Sequence, residues 1–414
     1  MRSVSPEYLA MPATSFHVMT KPIGPICNLD CSYCFYLEKE KLYPGTKHWA
    51  MQLDVLERSI VEYIASQPQP ELHFAWQGGE PTLLGVEFFR TVVALQRKHA
   101  AGRSIHNALQ TNATLLDDGW GEFLAAEKFL VGVSVDGPRE LHDTYRVDKG
   151  GAPTFDKVMR GLRVLQRHGV PFNTLTVVNR SNAAHPAEVY RFLREEGSRF
   201  LQFIPVVERR ASTAQANGLV LIQPDDNSEA VVTEWSVQPL QYGEFLVGVF
   251  EEWVVRDVGQ VFVQQFDVAL ESWVGMPSSL CVFRETCGSA LAMEHSGDVY
   301  SCDHYVYPEH RLGNVMQQSL EAMAASPQQQ RFGNAKRDTL PRMCRSCEVR
   351  FACHGECPKH RFLTTPEGEP GLNYLCAGYK HFFNHIDPYM RLMAAELQAG
   401  RPPANVMRIA RGEG

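Results

Sequence analysis

Short apolar runs rich in β-branched and aromatic residues recur through the first half of the chain, at residues 17–21, 71–77, 104–111, 130–136, 172–179 and 200–207. Between them lie stretches whose apolar positions fall three and four apart, near 53–66, 86–100, 117–128, 155–168 and 186–196. Strand-like runs alternating with helical periodicity form the pattern of βαβ units and predict a parallel sheet. Six such units predict an open α/β barrel, a partial (β/α)6 arrangement, with chemistry at the carboxyl ends of the strands, where loops vary without disturbing the core. Residues 208–236 lose the periodicity and are rich in Ala, Gln, Asn, Asp and Ser, which predicts an irregular insertion. Helical patterns return at 239–258 and 266–274.

A chain of 414 residues is long enough for at least two modules. Its 44% hydrophobic and 21% charged residues are ordinary for a globular protein. No apolar run approaches the length of about 18 residues needed to span a bilayer, so no membrane role is expected. A net charge of −7 without a basic stripe argues against a nucleic-acid partner. The first twenty residues lack the features of a secretion signal, which makes the cytoplasm the expected compartment. Cysteine changes the picture most. Three of the 11 cysteines fall between Cys27 and Cys34, eight between Cys281 and Cys376, and none between those groups. Cytoplasmic thiols are held reduced, so metal-bound thiolates are expected rather than disulfides.

Cys27, Cys31 and Cys34 form a C-x3-C-x2-C triplet just after the first predicted strand. Three thiolates can hold three irons of a [4Fe–4S] cube and leave the fourth open to a ligand. The alternative is a structural zinc site completed by His17 or His48, although such sites usually show paired C-x2-C elements. The triplet, with Tyr33 before its third Cys, resembles the hallmark of the radical S-adenosylmethionine superfamily. That resemblance implies that the open iron chelates S-adenosylmethionine and that one electron cleaves it to a 5′-deoxyadenosyl radical. Gln77-Gly78-Gly79-Glu80-Pro81, after the second strand, matches the family's GGE element, which implies that Gly79 lies by the methionyl amino group. The resemblance likewise implies Ser134 and Arg146 against the ribose and carboxylate, with Asp136 nearby, and Val207 beside the adenine. Simpler readings of these residues are a tight turn, a salt bridge for Arg146 and core packing for Val207. Gln110-Thr111-Asn112 offers polar groups at the barrel mouth or a strand cap.

The second region reads Cys281-x5-Cys287-x14-Cys302 and then Cys344-x2-Cys347-x5-Cys353-x3-Cys357-x18-Cys376. Eight thiolates make two complete four-thiolate sites, which taken alone could hold zinc or iron–sulfur clusters. A hairpin through 293–300, with its turn at Ser296-Gly297-Asp298, would present Cys302 beside Cys287. Read with the triplet, the eight cysteines resemble the SPASM extension, which holds auxiliary [4Fe–4S] clusters. The resemblance implies Cys281, Cys287, Cys302 and Cys357 at the first auxiliary cluster, and Cys344, Cys347, Cys353 and Cys376 at the second. His354 and His360 read as donors to cluster sulfurs or as solvated side chains. Tyr379, Phe382, Phe383 and Tyr389 read as core.

Asp303 directly after Cys302, together with Gln77-Gly78-Gly79-Glu80, the segment 130–138 and Gly371-Leu372-Asn373-Tyr374-Leu375-Cys376, closely resembles the anaerobic sulfatase-maturating enzymes over residues 16–389. The resemblance implies a radical core at 16–238 containing the insertion 208–236, a helical connector at 239–276, a SPASM domain at 277–390, and tails at 1–15 and 391–414. It implies three [4Fe–4S] clusters and S-adenosylmethionine as cofactors, and a sulfatase polypeptide as substrate. The expected reaction is oxidation of its Cys or Ser to Cα-formylglycine with Asp303 as base, and the expected electron donor is a flavodoxin or ferredoxin. The rival readings are another SPASM enzyme forming thioether or carbon–carbon links, which would normally need a peptide-capturing domain before Cys27, and a zinc-stabilised interaction protein.

Overall fold

The computed structural model describes residues 16–36, 38–211, 221–225 and 229–413. Six parallel strands follow one another across the sheet in chain order: β1 (His17–Lys21), β2 (Glu71–Trp76), β3 (Ser104–Thr111), β4 (Leu130–Ser134), β5 (Phe172–Val178) and β6 (Phe200–Pro205). Alternation drives this arrangement. In β2, Leu72, Phe74 and Trp76 are buried while Glu71 and His73 are exposed, as a strand with one face under helices requires. The intervening helices supply the cover. Val158, Leu162 and Leu165 form the buried stripe of the helix Phe155–Arg167, and Asp117 caps the helix Asp118–Ala126 by accepting from the Trp120 amide.

The sheet is larger than the six predicted strands. After β7 (Arg209–Ala211) and β8 (Ala230–Val232), an antiparallel pair in the insertion, β9 (Phe262–Val263) joins β6 in parallel and extends that edge. On the opposite edge β10 (Ala290–Glu294) runs parallel to β1 along its whole length, pairing His17 with Ala290 and Lys21 with Glu294. β11 (Asp298–Tyr300) and β12 (Arg311–Asn314) complete it as antiparallel strands. The predicted hairpin is present, with Gly297 in its turn at φ +82°. Its docking on β1 is not visible in local periodicity, because the partners lie more than 270 residues apart. The sheet is therefore continuous across residue 277, where the second module was expected to begin.

The C-terminal helix Cys376–Gln398 continues past residue 390 and packs along the helix Pro239–Val254. The two backbones touch: a Cβ on Gly378 would stand 2.0 Å from the Pro239 carbonyl oxygen. This contact anchors Cys376, the first residue of the helix, against the barrel. Tyr379, Phe382 and Phe383 are buried in the core on the same helix, and Tyr389 packs on Phe250. The expected tail at 1–15 and residues 212–220 and 226–228 of the insertion lie outside the described residues. Among the described residues no helix is long and apolar enough to cross a membrane.

Candidate active site

The loop after β1 carries the first three cysteines over the carboxyl ends of the strands. Cys27, Cys31 and Cys34 pack with Leu29, Tyr33, Val206 and Trp235 in one small cluster. The Leu29 amide donates to Cys27 Sγ at 3.3 Å and Asn112 Nδ2 at 3.7 Å. Burial pushes the Cys27 thiol up to about 11 and Cys31 to about 12, so these thiols stay protonated until a metal displaces the proton.

Gly79 explains how this loop is held. Its amide donates to the Gly24 carbonyl at 2.8 Å and the Glu80 amide to the Ile26 carbonyl at 2.8 Å, which pins the Gly-Gly turn to the residue before Cys27. A Cβ on Gly79 would lie 2.0 Å from the Ile26 oxygen, so the chain itself demands glycine here. Gly79→Ala is expected to displace the cysteine loop and reduce reconstituted iron from about twelve to about eight per chain, leaving the auxiliary clusters intact; iron analysis checks this.

Tyr33, Asp136 and Arg146 form one buried network. Asp136 accepts from the Tyr33 hydroxyl, from Arg146 Nη2 at 3.1 Å and from the Val177 amide at 3.0 Å, and Arg146 Nε lies 3.0 Å from its other oxygen. Arg146 is thus in a buried ion pair, not a surface one. Ser134 Oγ accepts from Gln110 Nε2 at 3.0 Å. Val207 is buried, and it also lines a cavity with Phe35, His304, Tyr307 and Lys359. The insertion contributes Leu221 and Ile222 to that wall.

Asp303 reaches this region from the hairpin. Its Oδ1 accepts from the Lys21 ammonium and from the Tyr36 hydroxyl at 2.8 Å. Burial would raise the pKa of Asp303, but the charge and hydrogen bond of Lys21, with Lys39 nearby, hold it below the ordinary carboxylate value. Lys21 is fully buried; it also faces Glu294 at 3.7 Å and lies 3.9 Å over the Tyr36 ring. Lys39 donates to the Val306 carbonyl at 3.0 Å, and burial together with Lys21 pulls it down to about 7. Lys21, Tyr36, Lys39 and Glu294 were not singled out from sequence. A lysine ending the first strand, six residues before Cys27, was the available signal.

The eight remaining cysteines fall into two spatial groups. Cys302 lies within electrostatic reach of Cys281 and Cys287, and Cys357 within reach of Cys302 and Cys281. Cys344, Cys347, Cys353 and Cys376 together line a separate cavity. Burial raises Cys302 and Cys353 to about 12 and Cys376 to about 11. Among the described residues no three His, Cys, Asp or Glu side chains are gathered as for a single metal ion.

Comparison with known proteins places this geometry. A profile of the Radical SAM superfamily matches residues 22–193, and one described as an iron–sulfur cluster-binding domain, SPASM, matches 281–348. A serine-type anaerobic sulfatase-maturating enzyme from Bacteroides thetaiotaomicron is 46% identical over 396 residues, covering 96% of this chain and 95% of that protein. A cysteine-type anaerobic sulfatase-maturating enzyme from Clostridium perfringens is 34% identical over 378 residues, covering 90% and 96%. The solved structure described as native anSMEcpe with bound AdoMet and Cp18Cys peptide superposes with a TM-score of 0.79 at 33% identity, over 92% of this chain and 99% of that one.

Proposed function

The chain belongs to the anaerobic sulfatase-maturating enzymes of the radical S-adenosylmethionine superfamily, and from that premise we propose that it oxidises a Cys or Ser of a sulfatase polypeptide to Cα-formylglycine with Asp303 as the base. One observation carries the reading. Asp303 directly follows Cys302 of the first auxiliary group and is bonded to Tyr36, two residues past Cys34, so a single carboxylate stands between the two cysteine sites.

The residues fit three clusters, held by Cys27, Cys31 and Cys34; by Cys281, Cys287, Cys302 and Cys357; and by Cys344, Cys347, Cys353 and Cys376. With S-adenosylmethionine bound, these groups supply the 5′-deoxyadenosyl radical that removes hydrogen from the substrate Cβ and accept the second electron. Asp303 is held ionised by Lys21 and oriented by Tyr36, so it can take the proton from the substrate thiol or hydroxyl. Arg146 and Asp136 brace Tyr33 under the triplet. Gly79, Ser134, Arg146 and Val207 are assigned to the S-adenosylmethionine side. Residues 16–238 are assigned to the radical core, 239–276 to the connector and the chain from 277 on to the SPASM region, whose hairpin strands join the sheet of the core. A cytoplasmic flavodoxin or ferredoxin supplies electrons.

The higher identity to the serine-type relative favours Ser as the target. Anaerobic incubation with S-adenosylmethionine, a reductant and paired Ser- and Cys-motif peptides is expected to give formylglycine from both, faster from the Ser peptide, by mass spectrometry. A crosslinked product without aldehyde would instead support the peptide-crosslinking reading.

A further inference from the structure

The five-residue segment from Cys353 to Cys357 joins the two auxiliary groups, because Cys353 lines the second and Cys357 belongs with Cys281 and Cys302. Its three inner residues, His354, Gly355 and Glu356, all have left-handed backbones, at φ +45°, +71° and +50°. Two of the three are not glycine, so the run is strained and something must hold it.

Arg361 does so. Its Nε donates to the Gly355 carbonyl at 2.8 Å, and its Nη2 donates to those of His354 at 2.8 Å and Glu356 at 3.0 Å. Its Nη1 donates to the carbonyl of Lys336, whose own buried ammonium donates to the carbonyls of Cys281 at 2.7 Å and Val282 at 2.8 Å. The Arg361 charge is felt by Cys357 on one side and by Cys344 and Cys353 on the other. Glu356 is the buried carboxylate among them; it is bonded to His360 at 3.0 Å and Asn373 at 2.7 Å.

We infer that Arg361 is a positioning residue for the pair of auxiliary centres. It clamps the strained segment that fixes their spacing, and its guanidinium places a positive charge between them that favours their reduced forms. This rests on the cluster assignment above. A planar guanidinium is required for the clamp, since an ammonium cannot reach three carbonyls in one plane. Either cation serves for the charge.

The test uses the full chain with Cys27, Cys31 and Cys34 replaced by Ala, so that only the auxiliary centres are read. Failure to hold about eight irons in this parent refutes the cluster assignment rather than the role of Arg361. On that parent, Arg361→Gln is expected to disfavour reduction of both centres by at least tenfold, which is about 59 mV for a one-electron couple, in an EPR-monitored redox titration. Arg361→Lys is expected to keep the potentials but change the dipolar splitting between the two reduced centres. Unchanged potentials in an eight-iron Arg361→Gln protein overturn the charge role. If Arg361→Gln loses iron, Arg361→Lys decides, and an unaltered splitting there overturns the proposal.

Discussion

Replacing Cys27, Cys31 and Cys34 together with Ala is expected to leave about eight irons per chain and to abolish cleavage of S-adenosylmethionine. The wild-type protein is expected to hold about twelve, four for each of three clusters. The partition follows from the thiol count at each site. By the ligand sets proposed above, only the triplet would leave an iron without a protein ligand, so only that site would bind the sulfonium cofactor. The folding argument points the same way. The triplet is carried on a loop pinned by Gly79 and Glu80, whereas Cys281 and Cys287 lie just before the hairpin, Cys302 just after it, Cys344, Cys347, Cys353 and Cys357 in the short helical turns that follow, and Cys376 at the start of the C-terminal helix. Losing the first site therefore leaves the second region packed. Iron analysis and chromatography of 5′-deoxyadenosine read the two halves separately. Residual cleavage by clean triple mutant would break the division of labour, and a wild-type value near four irons would remove the auxiliary clusters.

The parts of this architecture legible in sequence were those written in local periodicity or in spacing. β1 and β3 match their expected limits, and β2, β4, β5 and β6 end one or two residues earlier, where the chain turns into the site loops. The hairpin was readable because Gly297 sits where its turn needs a left-handed residue. What could not be read were pairings set by tertiary contact. Nothing near residue 290 announces that β10 will lie in register with β1, yet that register places Glu294 beside Lys21 and carries the chain on toward Asp303. Glu80 is instructive in the other direction. It is the one acidic residue of the GGE element, but its carboxylate accepts from Thr82 twice, from Thr111 at 2.7 Å and from the Asn112 amide at 2.7 Å. A fully buried carboxylate with four donors ties strand ends together and has no room for a substrate proton.

Asp303→Asn separates the base from the radical machinery. The amide keeps the size of the side chain and can still accept from Tyr36, but it cannot take a proton, so formylglycine formation is expected to fall by a factor on the order of 10²–10⁴. Radical generation is expected to survive, because no residue of the triplet site depends on the Asp303 charge. The variant should hold about twelve irons, still release 5′-deoxyadenosine in the presence of peptide, and still carry deuterium into it from a peptide labelled at the target Cβ. Two other groups could be offered as the base, and the structure argues against both. Glu80 is committed to its four donors. His304 is drawn down to about 3, chiefly by burial, so it is neutral at working pH, but its Nδ1 lies 3.7 Å from Cys357 Sγ, on the cluster side rather than at Tyr36. Among the described residues Asp303 alone combines an ionised state, enforced by the buried Lys21, with a bond to Tyr36, two residues past the triplet. Retention of most product formation by Asp303→Asn with full iron would therefore remove the central step of the mechanism, because no other carboxylate in the described site is both free to accept a proton and tied to both cysteine groups.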